Sequence, residues 1–392
     1  MKKLICSAAA VFSLALAAQV PDLPLLKIFH LAGKQKPAEN LLLSPWGIQE
    51  CFGIISGGAG RECAAELSQF LGLDKDSSEK ICQARTSLQQ SKTDFKSYNA
   101  VFIEQRQKAK KAFIRHAVKL YKSDLYSVNF SEKEKCAKVL NSIVRRGTSG
   151  MFDNVFTPRS FTPPPALLLL NTLYFNSEWK APFRKLDTAR EQFTIPSPNG
   201  KTASQRITVD MMNAIFRVPY YTDKELHGII LSYRDRRFKL LALMPLASTT
   251  PLSRATAVLA EKGIQHFISG SSRFRETQIK LPKLKLSGET DLKELFFSVG
   301  MKNLFSPEKG GLTEMTEDEP LFVSAAKQLV KLDIDEEKTK IAAVTYTMGL
   351  SSAPEPEPPQ YNYFYADRPF VLILFDSETN AILLTAAVVN PR

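Results

Sequence analysis

The chain is poor in the side chains that most catalysis and metal binding use: 392 residues carry only four histidines and two tryptophans. His30, His116, His227 and His266 lie far apart, with no partner at ligand spacing, which argues against a metal centre. No HExxH, GxSxG elbow or Walker A loop occurs, so the sequence signatures of a metalloprotease, an α/β-hydrolase and a P-loop enzyme are all missing. No apolar run reaches the roughly 20 residues that span a bilayer. No Gly/Ser-rich linker and no internal repeat divides the chain. These absences favour one large unit with neither a membrane span nor a solenoid repeat.

What is present suits a globular protein, with 44% hydrophobic and 23% charged residues. The first residues read as a cleaved export signal of the bacterial type. Lys2 and Lys3 precede the apolar stretch 4–16, and Ala15-Leu16-Ala17 offers small residues for cleavage. The expectation is a signal peptide over residues 1–17, then a single secreted or periplasmic domain over 18–392. Losing Lys2 and Lys3 takes the formal charge from +12 to +10. That favours solubility and weak attraction to polyanions without naming a partner. Cys51, Cys63, Cys82 and Cys136 would remain, an even number that permits three disulfide pairings. Cys51 sits in an apolar helical stretch, where a buried free thiol is the blander state.

Helices read early and strands late, which makes the class α+β. Ser44-Pro45 caps an apolar helix that stops at Gly57-Gly58. Further helices are expected over 61–71, 78–89, 110–122 and 132–146, with a strand at 98–104. Residues 166–175 are an almost unbroken apolar run, as in a strand covered on both faces. The β pattern continues over 238–244 and 278–285. Within 321–335, Gln328, Val330, Leu332 and Ile334 fall on one face, and residues 371–375 and 381–389 form a hairpin. Between the strand ending near Asp335 and that hairpin lies the oddest segment. Residues 336–365 combine a charged start, a small-residue middle and the run Pro354-Glu355-Pro356-Glu357-Pro358-Pro359. A loop this long in a compact domain is usually functional or disordered.

A second feature is basic. In a helix over 110–122, Lys111, Arg115, Lys119 and Lys122 fall near one face, either as a solvated surface or as a site for a sulfated, glycosaminoglycan-like polyanion. Aromatic residues are not interleaved with these cations, so nucleic acid is set aside.

Several blocks in fixed order resemble the serpin family. They are Asn40-Leu41-Leu42-Leu43-Ser44-Pro45 with Gly58-Ala59, and Asn171-Thr172-Leu173-Tyr174-Phe175 with Trp179 and Pro182-Phe183. Then come Leu281-Pro282-Lys283, Asp291-Leu292, Gly300-Met301 and Leu304-Phe305, and finally Ala366-Asp367-Arg368-Pro369-Phe370 and Val388-Val389-Asn390-Pro391. Each is weak alone, but together they span residues 22–392. The resemblance implies three β-sheets with about nine helices, and an exposed reactive loop that baits a serine, or in some cases a cysteine, endopeptidase. It implies no catalytic residues, no metal and no cofactor beyond a polyanion activator, and a monomer that meets neither nucleic acid nor membrane. In inhibitory members the cut loop inserts into the main sheet as a new strand and drags the acylated protease with it. The alternative within the fold is a non-inhibitory binding or chaperone-like protein.

By that resemblance the hinge is Glu336-Glu337-Lys338-Thr339, followed by Ile341, Ala343 and Thr345. The inward positions Thr339, Ile341, Ala343, Thr345, Thr347 and Gly349 carry no charge. Lys338 stands where the family has glycine, and Ile341 where alanine is usual. The sheet-opening region comprises Ser44, Gly47, Asn171 and Gln328, with Gly47 in place of serine and Gln328 in place of histidine. Counting from Glu336 puts the cut bond at Ser352-Ala353, with Leu350-Ser351 and Met348-Gly349 as alternatives. Because 341–365 contains no Lys, Arg or Asp, the expected target prefers small or medium apolar residues, as elastase- or chymotrypsin-like enzymes do.

Overall fold

The computed structural model describes residues 22–91, 94–197, 204–271, 273–309, 311–336 and 361–392. The first half holds α1 (Leu23–Gln35), β1 (Leu41–Leu43), α2 (Pro45–Ser56), α3 (Arg61–Leu71), α4 (Lys75–Gln89), β2 (Asp94–Glu104), α5 (Lys111–Arg115), β3 (Asp124–Val128), α6 (Lys133–Gly147) and β4 (Leu167–Asn176). The second half holds β5 (Ala189–Ile195), β6 (Gln205–Thr222), β7 (Leu226–Ser232), β8 (Phe238–Pro245), α7 (Leu252–Gly270), β9 (Phe274–Pro282), β10 (Leu284–Asp291), α8 (Leu292–Ser298), β11 (Ala325–Ile334), β12 (Asn362–Tyr365), β13 (Phe370–Asp376) and β14 (Ile382–Val388).

The strands form a five-stranded sheet, β10-β11-β4-β2-β3, and a nine-stranded one, β1-β14-β13-β8-β7-β6-β9-β12 with β5 on β6. Among the described residues two continuous sheets stand where three were expected. The reason is β6, whose residues 211–219 pair with β9 while Tyr220–Thr222 pair with β7, so one 18-residue strand joins two ladders. Eight α-helices occur among the described residues, and α7 is broken at Gly263, whose φ of 70° only glycine adopts cheaply. The stretch 278–285 is also divided. Lys283 separates β9 from β10, which belong to different sheets, so the chain crosses between layers there.

Burial follows the alternation of the strands. On β11 the even positions from Ala326 to Ile334 are buried and the odd ones mostly half-buried, and β4 is buried along nearly its whole length. One face of the five-stranded sheet, with Leu169, Leu173, Val330 and Leu332, joins the main core. The other face, with Leu168, Leu170 and Leu329, packs under Leu140, Ile143 and Val144 of α6 and under Phe152 and Phe156 beyond it. Helix α2 lies inside the main core, every residue from Pro45 to Ile55 buried. Ser44 caps it, its hydroxyl accepting from Gly47 N at 2.9 Å. All four cysteines from Cys51 onward are free thiols.

Candidate functional site

The feature that organises the site is the pairing of β11 with β4. These strands run parallel, in register from Ala325 opposite Leu168 to Lys331 opposite Tyr174. Beyond Lys331 the pairing stops, while β11 continues against β10 to Ile334. A small cleft lined by Phe175, Trp179, Tyr233, Ile334 and Asp335 fills the place where the strands part. From this opened end the chain passes through Asp335 and Glu336 into residues 337–360. It returns at β12, which pairs with β9 in the other sheet.

Near the middle of the seam, the four residues assigned to sheet opening converge. The Gln328 carboxamide, fully buried, accepts from Ser44 N at 2.8 Å. It donates to Ser44 O at 3.0 Å and to Asn171 Oδ1 at 2.8 Å. Ser44 Oγ donates to Leu383 O at 2.7 Å. One planar amide thus ties β11 to β4 and to the cap of α2. Gly47 explains how Asn171 reaches it: a Cβ at position 47 would overlap the Asn171 carboxamide, so the missing side chain leaves the room that the asparagine occupies.

The chain of hydrogen bonds runs further than the sequence suggested. Asn171 Nδ2 donates to Asn99 Oδ1 at 2.8 Å, and Asn99 Nδ2 to Glu50 Oε2 at 2.9 Å. Ser97 Oγ donates to the same carboxylate oxygen at 2.5 Å. The other oxygen of Glu50 pairs with Arg85 Nη2 at 2.6 Å, and Arg85 Nη1 donates to Tyr121 O. Glu50 is 2% exposed and Arg85 9%. β11, β4, β2, α2 and α4 are therefore linked by one buried polar string. Asn99, Glu50 and Arg85 were missed in the sequence, although a glutamate in an otherwise buried helix was the available signal.

At the open end, Glu336 is held by two elements. Thr188 Oγ1 donates to its Oε1 at 2.6 Å, and Lys283 Nζ lies 3.0 Å from its Oε2. Trp179 Nε1 donates to the neighbouring Asp335 carbonyl at 2.9 Å. Burial pushes the Glu336 carboxyl up, but the Thr188 hydroxyl, its own backbone N–H and Lys283 outweigh it and leave it below the ordinary carboxylate value. A lowered folded-state value means this anchor is fully in place above the ordinary carboxylate range and is lost as pH falls through the lowered value. Acidification well below the ordinary carboxylate range is thus expected to free the end of β11, read as lower amide protection factors around residues 333–336. The same protection factors at pH 7 and pH 3 would contradict it.

Glu337, Lys338, Thr339, Ile341, Ala343 and Thr345, the bonds Met348-Gly349, Leu350-Ser351 and Ser352-Ala353, and the leader 1–17 lie outside the described residues. The basic segment differs from expectation. Its α-helix covers only Lys111–Arg115, followed by a π-helical turn, His116–Leu120. Lys122 stands beyond the helix with φ 52°. Wider turns do not keep a four-residue repeat on one face, so the four cations divide. Lys119 and Lys122 line a cleft against α4 with Arg85 and Cys82, whereas Lys111 and Arg115 are exposed on the preceding turn and do not line it.

The comparisons agree with this architecture. The family described as "Serpin (serine protease inhibitor)" matches residues 25–391. Glia-derived nexin of Rattus norvegicus is 27% identical over 375 residues, covering 93% of this chain and 91% of the relative. Plasminogen activator inhibitor 1 of Bos taurus is 26% identical over 376 residues, covering 93% and 90%. Among solved structures, native protease nexin-1 with heparin superposes with a TM-score of 0.81 at 23% identity, over 97% of this chain and 99% of that one. Human glycosylated kallistatin gives 0.81 at 19% identity, over 97% and 98%. With a parallel seam that parts at the root of a long loop, and a family match over nearly its whole length, this chain belongs to the serpin family of serine protease inhibitors.

Proposed function

We propose that the protein, exported after removal of residues 1–17 and acting as a monomeric single domain over 18–392, is a suicide-type inhibitor. It would trap a serine, or in some cases a cysteine, endopeptidase by loop cleavage and strand insertion. The observation carrying this reading is the β4·β11 seam. A segment that leaves the C-terminal end of β11 and turns back between two parallel strands runs antiparallel to both. Each parallel hydrogen bond given up is then replaced by antiparallel ladders on two sides. The cost is parting the Gln328–Asn171 contact, and the cut loop is what makes that exchange available. The alternation of residues 338–349 suits it, with Thr339, Ile341, Ala343, Thr345, Thr347 and Gly349 inward. Lys338, Lys340, Ala342, Val344, Tyr346 and Met348 face outward, where charge is tolerated.

The target is read from the bait. With no Lys, Arg or Asp in 341–365, a pocket built for a cation or for aspartate finds no partner. Digestion with elastase, chymotrypsin and trypsin is therefore expected to give a complex resistant to denaturing electrophoresis with the first or second enzyme, cut at Ser352-Ala353 or within 348–353. The cleaved protein should unfold at a markedly higher temperature. A trypsin complex would refute the assigned specificity. Cleavage with no complex and an unchanged unfolding temperature would instead favour a binding or chaperone-like serpin.

A polyanion activator is the second element of the proposal. One of the solved relatives is described with heparin, and here Lys119 and Lys122 flank the cleft that contains Arg85. Binding to a heparin column should weaken steeply with salt and be lost when Lys111, Arg115, Lys119 and Lys122 are changed together to Ala. Unaltered retention would mark the cluster as a solvated surface.

A further inference from the structure

At the opposite end of β7 from its turn to β6, and away from the α4 cleft, a slot of about 140 Å³ lies between the segment after β4 and the strands β6, β7 and β9. Its walls are Trp179, Phe183, Phe216, Ile230 and Leu231, with Phe274 at the rim, 59% exposed. The rings form a series of edge-to-face and stacked contacts. Phe183 meets Phe216 at 5.2 Å between centroids and Trp179 at 6.3 Å, and Trp179 stacks on Tyr233 at 4.5 Å. An apolar space of roughly 150 Å³ holds one benzene ring, and aromatic walls favour an aromatic guest in offset or edge contact.

Two cations line the same slot. Lys180 and Arg217 are both exposed, and neither has an ion-pair partner among the described residues. Glu276 sits opposite Arg217 in the β6·β9 ladder, but no ion pair joins them. The acid nearest in sequence to Lys180, Glu178, is taken by Arg234. A ring-sized apolar slot bordered by two unpaired cations is complementary to one aromatic ring carrying a carboxylate. The ring would replace water against Phe183 and Phe216, and the carboxylate would meet Lys180 or Arg217.

We infer that this slot is a binding site for small aryl carboxylates; it shares one wall, Trp179, with the cleft at the open end of the seam. The test uses phenylacetate with the intact protein, followed by saturation-transfer NMR and by quenching of tryptophan fluorescence. Both tryptophans are buried, Trp46 at 1% and Trp179 at 3% exposure, but of the two Trp179 lines the slot and Trp46 does not. Saturable submillimolar binding is expected, with phenylacetamide at least tenfold weaker because it lacks the charge. K180Q/R217Q and, separately, F274S alter exposed side chains and should leave the unfolding temperature unchanged. Each is expected to weaken phenylacetate at least tenfold. Absence of saturation, equal binding of phenylacetamide, or unchanged affinity in both variants would overturn the assignment.

Discussion

Thr339→Arg and Ala343→Arg are each expected to abolish trapping of the protease while leaving cleavage of the loop intact. A strand inserted between β4 and β11 presents every second side chain to the layer formed by Leu169, Asn171 and Leu173 on one side and Gln328, Val330 and Leu332 on the other, all buried. An arginine there would be an unpaired buried charge, opposed by about 3 kcal/mol or more. Insertion competes with hydrolysis of the acyl-enzyme, so that penalty shifts the partition toward turnover by roughly 100-fold or more. The measurement is the number of inhibitor molecules consumed per protease inactivated, alongside the yield of stable complex. Outward controls, Ala342→Arg and Val344→Arg, should trap normally. Full complex formation by both inward variants would exclude insertion as the mechanism.

Glu50→Ala is expected to cost about 3–5 kcal/mol in the first unfolding transition, because it leaves Arg85 nine-tenths buried without its counter-charge. It also removes the acceptor of Asn99 Nδ2 and Ser97 Oγ, so the string that reaches Gln328 loses its far anchor. Glu50→Ala/Arg85→Ala should recover part of the loss, since no uncompensated charge remains, and the double-mutant cycle isolates the pair. Urea unfolding followed by circular dichroism reads both effects. A cost under about 1 kcal/mol, the size of an exposed ion pair, would show that the string carries little of the stability. Heat-resistant protein accumulating in Glu50→Ala without any cleavage would further tie the string to opening of the seam.

The elements legible in the sequence were those whose pattern is local. The cap at Ser44, the buried run that became β4, the alternation of Gln328, Val330, Leu332 and Ile334, and the 371–389 hairpin follow from a capping residue, a short unbroken apolar run or a period of two. α1, α7, α8, β1, β3, β5 to β7 and β12 were not assigned. In β6 the cause is visible: its burial alternates irregularly because it crosses from one ladder into another and its two faces exchange neighbours along its length. The π-helical turn at His116–Leu120 likewise leaves no trace in a pattern of cations spaced four apart.

By itself the sequence determined the family, the α+β class with helices frequent early and strands late, and the chemistry of the bait. Each of these resides in residue identity along one stretch of chain: motif blocks, hydrophobic period, and the lack of cations and aspartate in 341–365. Tertiary structure alone decided that β4 and β11 are parallel neighbours, although about 150 residues separate them, and that Gly47 gives Asn171 its space. It also decided that Lys283, placed where the chain crosses between sheets, meets Glu336, and that Glu50 finds Arg85. Such contacts join residues far apart in sequence. Their energy depends on distance, burial and the count of hydrogen-bond partners, none of which a single stretch of chain specifies.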